Sequence, residues 1–199
     1  MKNKFSIDID NSINSGQVFL WEKNGTDWYG INGQDILKIN KNGIIKSNLN
    51  SKTDFFRKND NIQEIIQLIS KDKIVKKAVK EYEGLRIFRQ DPFQCIISFI
   101  ISSNSNIQKI KNSLEKITKK FGKKVKIENK EFFLFPKPEK IANASINEIK
   151  SCGVGYRAPF IKEAAKMVIL KKIDFEYLKK CDYHAVSYTH LTLPTTPYV

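Results

Sequence analysis

"DPFQCIISFIISSNSNIQKI", Asp91 to Ile110, decides how the rest of the chain is read. Asp91 and Pro92 are favoured N-cap and first-turn residues. Nearly every position from Phe93 to Ile101 is apolar, which predicts a helix central to a core. That helix stops abruptly against Ser102, Ser103, Asn104, Ser105 and Asn106. Serine and asparagine satisfy orphan backbone groups well, so a helix C-terminus followed by an N-cap explains one or two of these residues. Five in succession predict a polar tip placed to enter something.

Downstream the period stays helical. "NIQKIKNSLEKITKKFG" puts Ile107, Ile110, Leu114, Ile117 and Phe121 three or four apart, leaves Lys109, Lys111, Lys116, Lys119 and Lys120 off the stripe, and stops at Gly122. Ser145 and Glu148 form a capping-box signature before Ile149 and Cys152, with Gly153 ending that short helix. "YRAPFIKEAAKMVILKK" follows, its Pro159 acceptable only in a first turn, and Asp174 is placed to cap "FEYLKKCDYH".

Upstream, "NIQEIIQLIS" and "DKIVKKAVKEYEG" predict two helices that each pack one face, Asp72 capping the second and Gly84 terminating it. Before Lys52 the pattern is strand-like. "FSIDID" alternates Phe5, Ile7 and Ile9, and the pairs Asn24-Gly25, Asn32-Gly33 and Asn42-Gly43 separate short β-prone runs. Both residue types tolerate positive φ, as two-residue hairpin turns require, so an antiparallel meander is expected. The fold class is therefore α+β: an antiparallel amino-terminal sheet with helices, then a helical domain, with the boundary between Gly84 and Asp91.

Of the 199 residues, 41% are hydrophobic, enough for a core. Lysine plus arginine exceed aspartate plus glutamate by 35 to 21, a net charge of +14 that favours a polyanionic partner. Heavy use of lysine, isoleucine and asparagine also suits an A+T-rich genome. Cys95, Cys152 and Cys181 lie far apart with no C-x-x-C pair, which indicates neither a zinc site nor a disulfide framework. The amino terminus lacks the apolar core of a signal peptide, and no run approaches the ~18 apolar residues of a membrane span. A soluble intracellular protein is expected, in a prokaryotic cytoplasm or, in a eukaryote, the nucleus. Ala185 to Val199, "AVSYTHLTLPTTPYV", has no Lys, Arg, Asp or Glu but four Thr and two Pro. It reads as a non-native tail.

Three stretches in order, "SGQVFLW", then "DPFQCIISFIISSNSNIQKI", then "FPKPEKIA" leading to "GVGYRAPFI", resemble the 8-oxoguanine DNA glycosylase family, in the branch with a β-rich domain ahead of a helix-hairpin-helix domain. The resemblance runs from Ser15 to His184. It implies a β-rich glycosylase domain over 1–88 and a partial helical domain over 89–184, with 185–199 outside both. It implies excision of 8-oxoguanine opposite cytosine, with associated abasic-site lyase action, by a monomer on duplex DNA that needs no metal or organic cofactor.

The resemblance also assigns roles residue by residue. The Gly16 carbonyl would meet the extruded base, because 8-oxoguanine bears a hydrogen on N7 where guanine has a lone pair. Asn104 would occupy the vacated stack and face the orphaned cytosine. Lys109 stands where the family usually carries a cytosine-reading arginine, and lysine keeps the charge but loses the planar fork. Tyr156 and Arg157 match the aromatic wedge and a second cytosine reader.

The family's chemistry uses a lysine nucleophile in a Gly-h-Gly-x-Lys hairpin, h being apolar, and an aspartate roughly twenty residues later. The amine attacks the sugar C1′, expels the base and leaves a Schiff base whose β-elimination nicks the strand. "GVGYR" mimics the hairpin but carries Arg157, which stays protonated and cannot be that nucleophile. By resemblance the hairpin belongs just after "CDYH". No catalytic residue is assigned here, and the chain as written is expected to be inactive. The rivals are a non-catalytic nucleic-acid module using Lys109, Lys111, Lys116 and Arg157 on phosphates, and a relative acting on another damaged base.

Overall fold

The computed structural model describes residues 7–39, 45–47, 54–127 and 130–181. The expected tail, Phe5 and the Asn42-Gly43 pair lie outside them. The chain divides into two compact units, one comprising residues 1–30 and 36–90, the other 31–35 and Asp91 onward.

The first unit corrects the strand expected at "FSIDID". Asp8 Oδ1 accepts the Asn11 amide at 2.9 Å and starts helix α1, Ile9–Asn14. A local cap overrides a short alternation because it satisfies a backbone donor at once. The sheet runs in sequence order through β1 (Trp21–Asn24), β2 (Asp27–Asn32), β3 (Asp35–Ile39) and β4 (Ile45–Ser47). In the antiparallel β1/β2 pair Asn24 lies opposite Asp27, so the turn's central residues are Gly25 and Thr26, and only Gly25 has positive φ, +60°. Gly33 repeats this between β2 and β3. Each asparagine thus closes a strand while glycine alone takes the left-handed position.

Trp21, Phe55 and Phe88 stack with ring centroids 4.6 to 6.4 Å apart, beside Ile9, Ile13, Val18, Leu37 and Ile39. Gly30 permits this, since a Cβ there would fall 2.1 Å from the Trp21 ring. Helices α2 (Ile62–Ile69) and α3 (Lys73–Glu81) form with Asn61 and Asp72 as caps. They do not bury the faces expected of them. Neither holds a buried residue, and Ile65, Ile69 and Ile74 are exposed along an apolar groove of about 460 Å³.

The second unit takes in the β2–β3 turn. Gln94, 3% exposed, accepts the Gly33 amide at 2.8 Å and donates to the Ile31 carbonyl at 3.1 Å, and Asn32 Oδ1 accepts the Asp91 amide at 2.7 Å. Helix α4, Pro92–Ser102, starts at its Asp91 cap and buries Phe93, Ile97, Ile100 and Ile101. Helix α5, Ile107–Phe121, buries Ile110, Leu114 and Ile117. Phe99 and Ile107, both expected inside, are more than 60% exposed beside the polar tip.

The helical part also contains an antiparallel hairpin the sequence reading missed, β5 (Lys124–Ile127) with β6 (Lys130–Phe133). Gly122 enters it where a Cβ would lie 2.0 Å from the Leu134 carbonyl oxygen. Then come α6 (Pro138–Asn143), α7 (Ile146–Ile149), a π-turn at Lys150–Val154, a 3-10 turn at Gly155–Arg157, α8 (Ala158–Ile169) and α9 (Phe175–Leu178). The capping box forms as expected: Ser145 Oγ accepts the Glu148 amide at 3.2 Å and Glu148 Oε2 accepts the Ser145 amide at 2.7 Å. Among the described residues no helix is long and apolar enough to cross a membrane.

Candidate nucleic-acid interface

The five polar residues after α4 divide the work of turning a corner. Ser102 Oγ returns to the Phe99 carbonyl at 2.7 Å, Ser103 is the C-cap, and Asn106 Oδ1 caps α5 by accepting the Lys109 amide at 2.9 Å. Asn104 between them has φ +47°, a left-handed conformation that asparagine tolerates better than most residues. Its side chain is exposed. Ser105 Oγ is buried with no hydrogen-bond partner among the described residues.

Arg157, 54 residues away in sequence from Ser103, binds this corner from behind. Its Nε donates to the Ser103 carbonyl at 3.1 Å, Nη2 donates to the carbonyls of Ser103 and Asn104, and Nη1 reaches the Val154 carbonyl at 3.4 Å. The side chain that the resemblance assigns to cytosine is 5% exposed and turned to backbone oxygens. Its guanidinium carbon also lies 4.5 Å from the ring centroid of Tyr156, a residue that is 60% exposed. Asn104, Tyr156 and Arg157 are thereby joined through one guanidinium.

Lys109 is exposed in the first turn of α5. On a helix, Lys109, Lys116 and Lys120 share one stripe, being seven and four residues apart. Lys120 Nζ donates to Ser151 Oγ at 2.8 Å and to the Glu148 carbonyl at 3.3 Å, at the start of the π-turn. Lys116 Nζ lies 4.0 Å from where a Cβ on Gly153 would stand, and Gly153 has φ +84°. The sequence offered the lysines as an off-core set, and only the packing of α5 on this turn sorts them.

Gly16 belongs to the first unit. Its φ of +87° excludes an unstrained side chain. The loop is held by the next residue: Gln17 Nε2 donates to the Ser12 and Arg86 carbonyls at 2.9 and 2.8 Å, and Gln17 Oε1 accepts the Phe88 amide at 2.8 Å. Sequence reasoning passed over Gln17 and Gln94. For Gln94 the signal was present, a glutamine one residue into an apolar run.

The family model described as "8-oxoguanine DNA glycosylase, N-terminal domain" matches residues 1–96, and that described as "HhH-GPD superfamily base excision DNA repair protein" matches 97–193. A probable N-glycosylase/DNA lyase of Methanothermobacter thermautotrophicus is 30% identical over 132 residues, covering 56% of this chain and 42% of its own. The Clostridium acetobutylicum 8-oxoguanine glycosylase/lyase, solved with duplex DNA containing cytosine opposite 8-oxoguanine, superposes with a TM-score of 0.80 at 29% identity, over 88% of this chain and 64% of that one. The structure of MBOgg1 in complex with a low-affinity DNA ligand gives a TM-score of 0.85 at 25% identity, over 96% of this chain and 69% of that one. The chain spans less than half the length of the curated relatives it matches. Two adjoining family matches, and a fold shared with solved 8-oxoguanine glycosylases over most of its length, place this chain in the 8-oxoguanine DNA glycosylase family.

Proposed function

We infer that this chain carries the DNA-reading part of an enzyme that removes 8-oxoguanine opposite cytosine from duplex DNA, through glycosylase and abasic-site lyase chemistry. The observation that carries this is the tip at Asn104, left-handed, exposed and tied through Arg157 to the exposed Tyr156 ring. Extruding a base leaves a gap in the stack that costs a few kcal/mol unless filled. An amide at the end of a stiff helix corner fills such a gap and can both donate to and accept from the orphaned base. A tyrosine wedge beside it holds the duplex kinked, and the Lys109 ammonium lies three residues beyond the cap that orders the corner. In the first unit, the Gly16 carbonyl is the acceptor for the N7 hydrogen that distinguishes the lesion. A matched contact against a repulsive one is worth about 1–3 kcal/mol.

The bond-breaking step needs an amine nucleophile, and no lysine of the chain lies in a Gly-h-Gly-x-Lys hairpin. The proposal is therefore that these 199 residues read the lesion without excising it. Fluorescence anisotropy with duplexes that differ only in the target base, at matched salt, tests the first half. Tighter binding to 8-oxoguanine opposite cytosine than to guanine supports it, and equal binding leaves a damage-blind module. Borohydride treatment tests the second half. A trapped covalent adduct with the damaged duplex would show that one of the chain's own lysines forms the Schiff base.

A further inference from the structure

We propose that Ser12 is a positioning residue for the lesion-reading carbonyl of Gly16; its part in recognition rests on the function proposed above. Glycine at φ +87° allows a close approach to a base, but for the same reason it leaves the direction of its own carbonyl loosely set. A contact that tells an N–H from a lone pair needs that direction fixed before the base arrives.

The restraint comes from the end of α1, where Ser12 is 0% exposed. A helix end leaves carbonyls without backbone donors. The Ser12 carbonyl takes two side-chain donors, Ser15 Oγ at 2.9 Å and Gln17 Nε2 at 2.9 Å, so the residues on both sides of Gly16 converge on one oxygen. A carbonyl has two lone pairs, enough for both. The Ser12 hydroxyl donates to the Asp8 carbonyl and accepts the Arg86 amide at 3.0 Å. Asp8 is tied to the same distant segment, its amide donating to the Gly84 carbonyl at 2.8 Å. Ser12 thus joins the start of α1, both flanks of the glycine and the Arg86 backbone. Gly16 turns between two anchored neighbours, and Ser12 is the anchor they share.

The test uses the whole chain and three duplexes that differ only in the base opposite cytosine. At position 7 guanine presents a lone pair, 7-deazaguanine a C–H and 8-oxoguanine an N–H. Affinity of the parent chain should rise in that order. In Ser12→Ala the span from guanine to 8-oxoguanine should contract about fivefold, as expected for loss of one buried hydrogen bond, with affinity for the guanine duplex within about twofold of the parent. A second readout needs no DNA. The Phe88 amide is bonded to Gln17 Oε1 rather than to Ser12. Its hydrogen exchange in Ser12→Ala should accelerate about tenfold while the amides of the β1–β2 pair hold. An unchanged span, an equal weakening on all three duplexes, or Phe88 exchange like that of the parent overturns the proposal, since a merely structural serine would affect the three duplexes alike. If the parent chain itself shows no span, the functional reading fails and Phe88 exchange alone decides the positioning role. Should Ser12→Ala fail to fold, Ser15→Ala takes its place in both measurements with the same outcomes, because Ser15 is exposed and supplies one of the two donors to the Ser12 carbonyl.

Discussion

Gln17 clasps the backbone on both sides of Ile87, donating to the Arg86 carbonyl and accepting from the Phe88 amide, each at 2.8 Å. The loop carrying Gly16 is thereby fixed to a segment some seventy residues away in sequence. Gln17→Ala leaves those groups without their partner, and we expect it to lower stability by about 1–3 kcal/mol in urea unfolding. It should also reduce the preference for damaged duplex, whereas binding to undamaged DNA should hold. Gly16→Ala should do the same to the preference, since a Cβ at φ +87° costs roughly 1–2 kcal/mol and forces the carbonyl to move.

Asp91 offers a pH-dependent prediction. Burial raises its carboxyl pKa, opposed by its bonds to the Gln94 and Phe93 amides. A raised value means that the folded state holds the proton more tightly than the unfolded one. Its stabilising contribution is complete below the ordinary aspartate range and lost as pH rises through the raised value. Asp91→Asn keeps an N-cap acceptor without the buried charge, so its stability relative to the parent should improve from pH 3 to pH 7 (approximate limits bracketing the carboxylate range) in thermal melts. Asp91→Ala should lose about 1 kcal/mol, the typical worth of the cap.

The lysine stripe of α5 predicts a salt signature. Lys116→Ala and Lys120→Ala should each weaken binding to all duplexes alike and reduce the slope of log K against log salt by about 0.9. Lys119→Ala, on another face of the helix, should leave the slope unchanged. An equal effect from all three would mean that the surface attracts DNA diffusely.

Cys95 should be slow to alkylate. Burial, and then the nearby Asp91 charge, push its thiol up to about 11. Its rate with iodoacetamide should climb about tenfold per pH unit through the neutral range, because only the thiolate reacts. Peptide mass analysis after labelling reads this directly.

Much of the architecture was legible because local chemistry specified it. Asp72, Asp91 and Asp174 cap helices as read, the Ser145–Glu148 box closes, and two of the Asn-Gly pairs mark hairpins. In each case the signal lies within three or four residues. Where the reading failed, the deciding interaction was a competing local bond or a distant one. Asp8 turned an apparent strand into a helix. The β5–β6 hairpin escaped notice because its alternation is short and lysine-rich.

The sequence by itself determined that a polar tip follows the apolar helix, that glycines supply the left-handed turns, and that three stretches in order resemble the 8-oxoguanine DNA glycosylase family. Only the tertiary structure decided what those residues face. Periodicity assigns a side chain to a face of its own helix, but burial depends on whether another element covers that face, so α2 and α3 hold no fully buried residue and Phe99 and Ile107 are exposed despite apolar patterns. Arg157 is the inverse case. Its charge reads as surface, yet the carbonyls left over at the end of α4 draw the guanidinium inside, because unsatisfied helix-end oxygens and a five-donor cation complete one another.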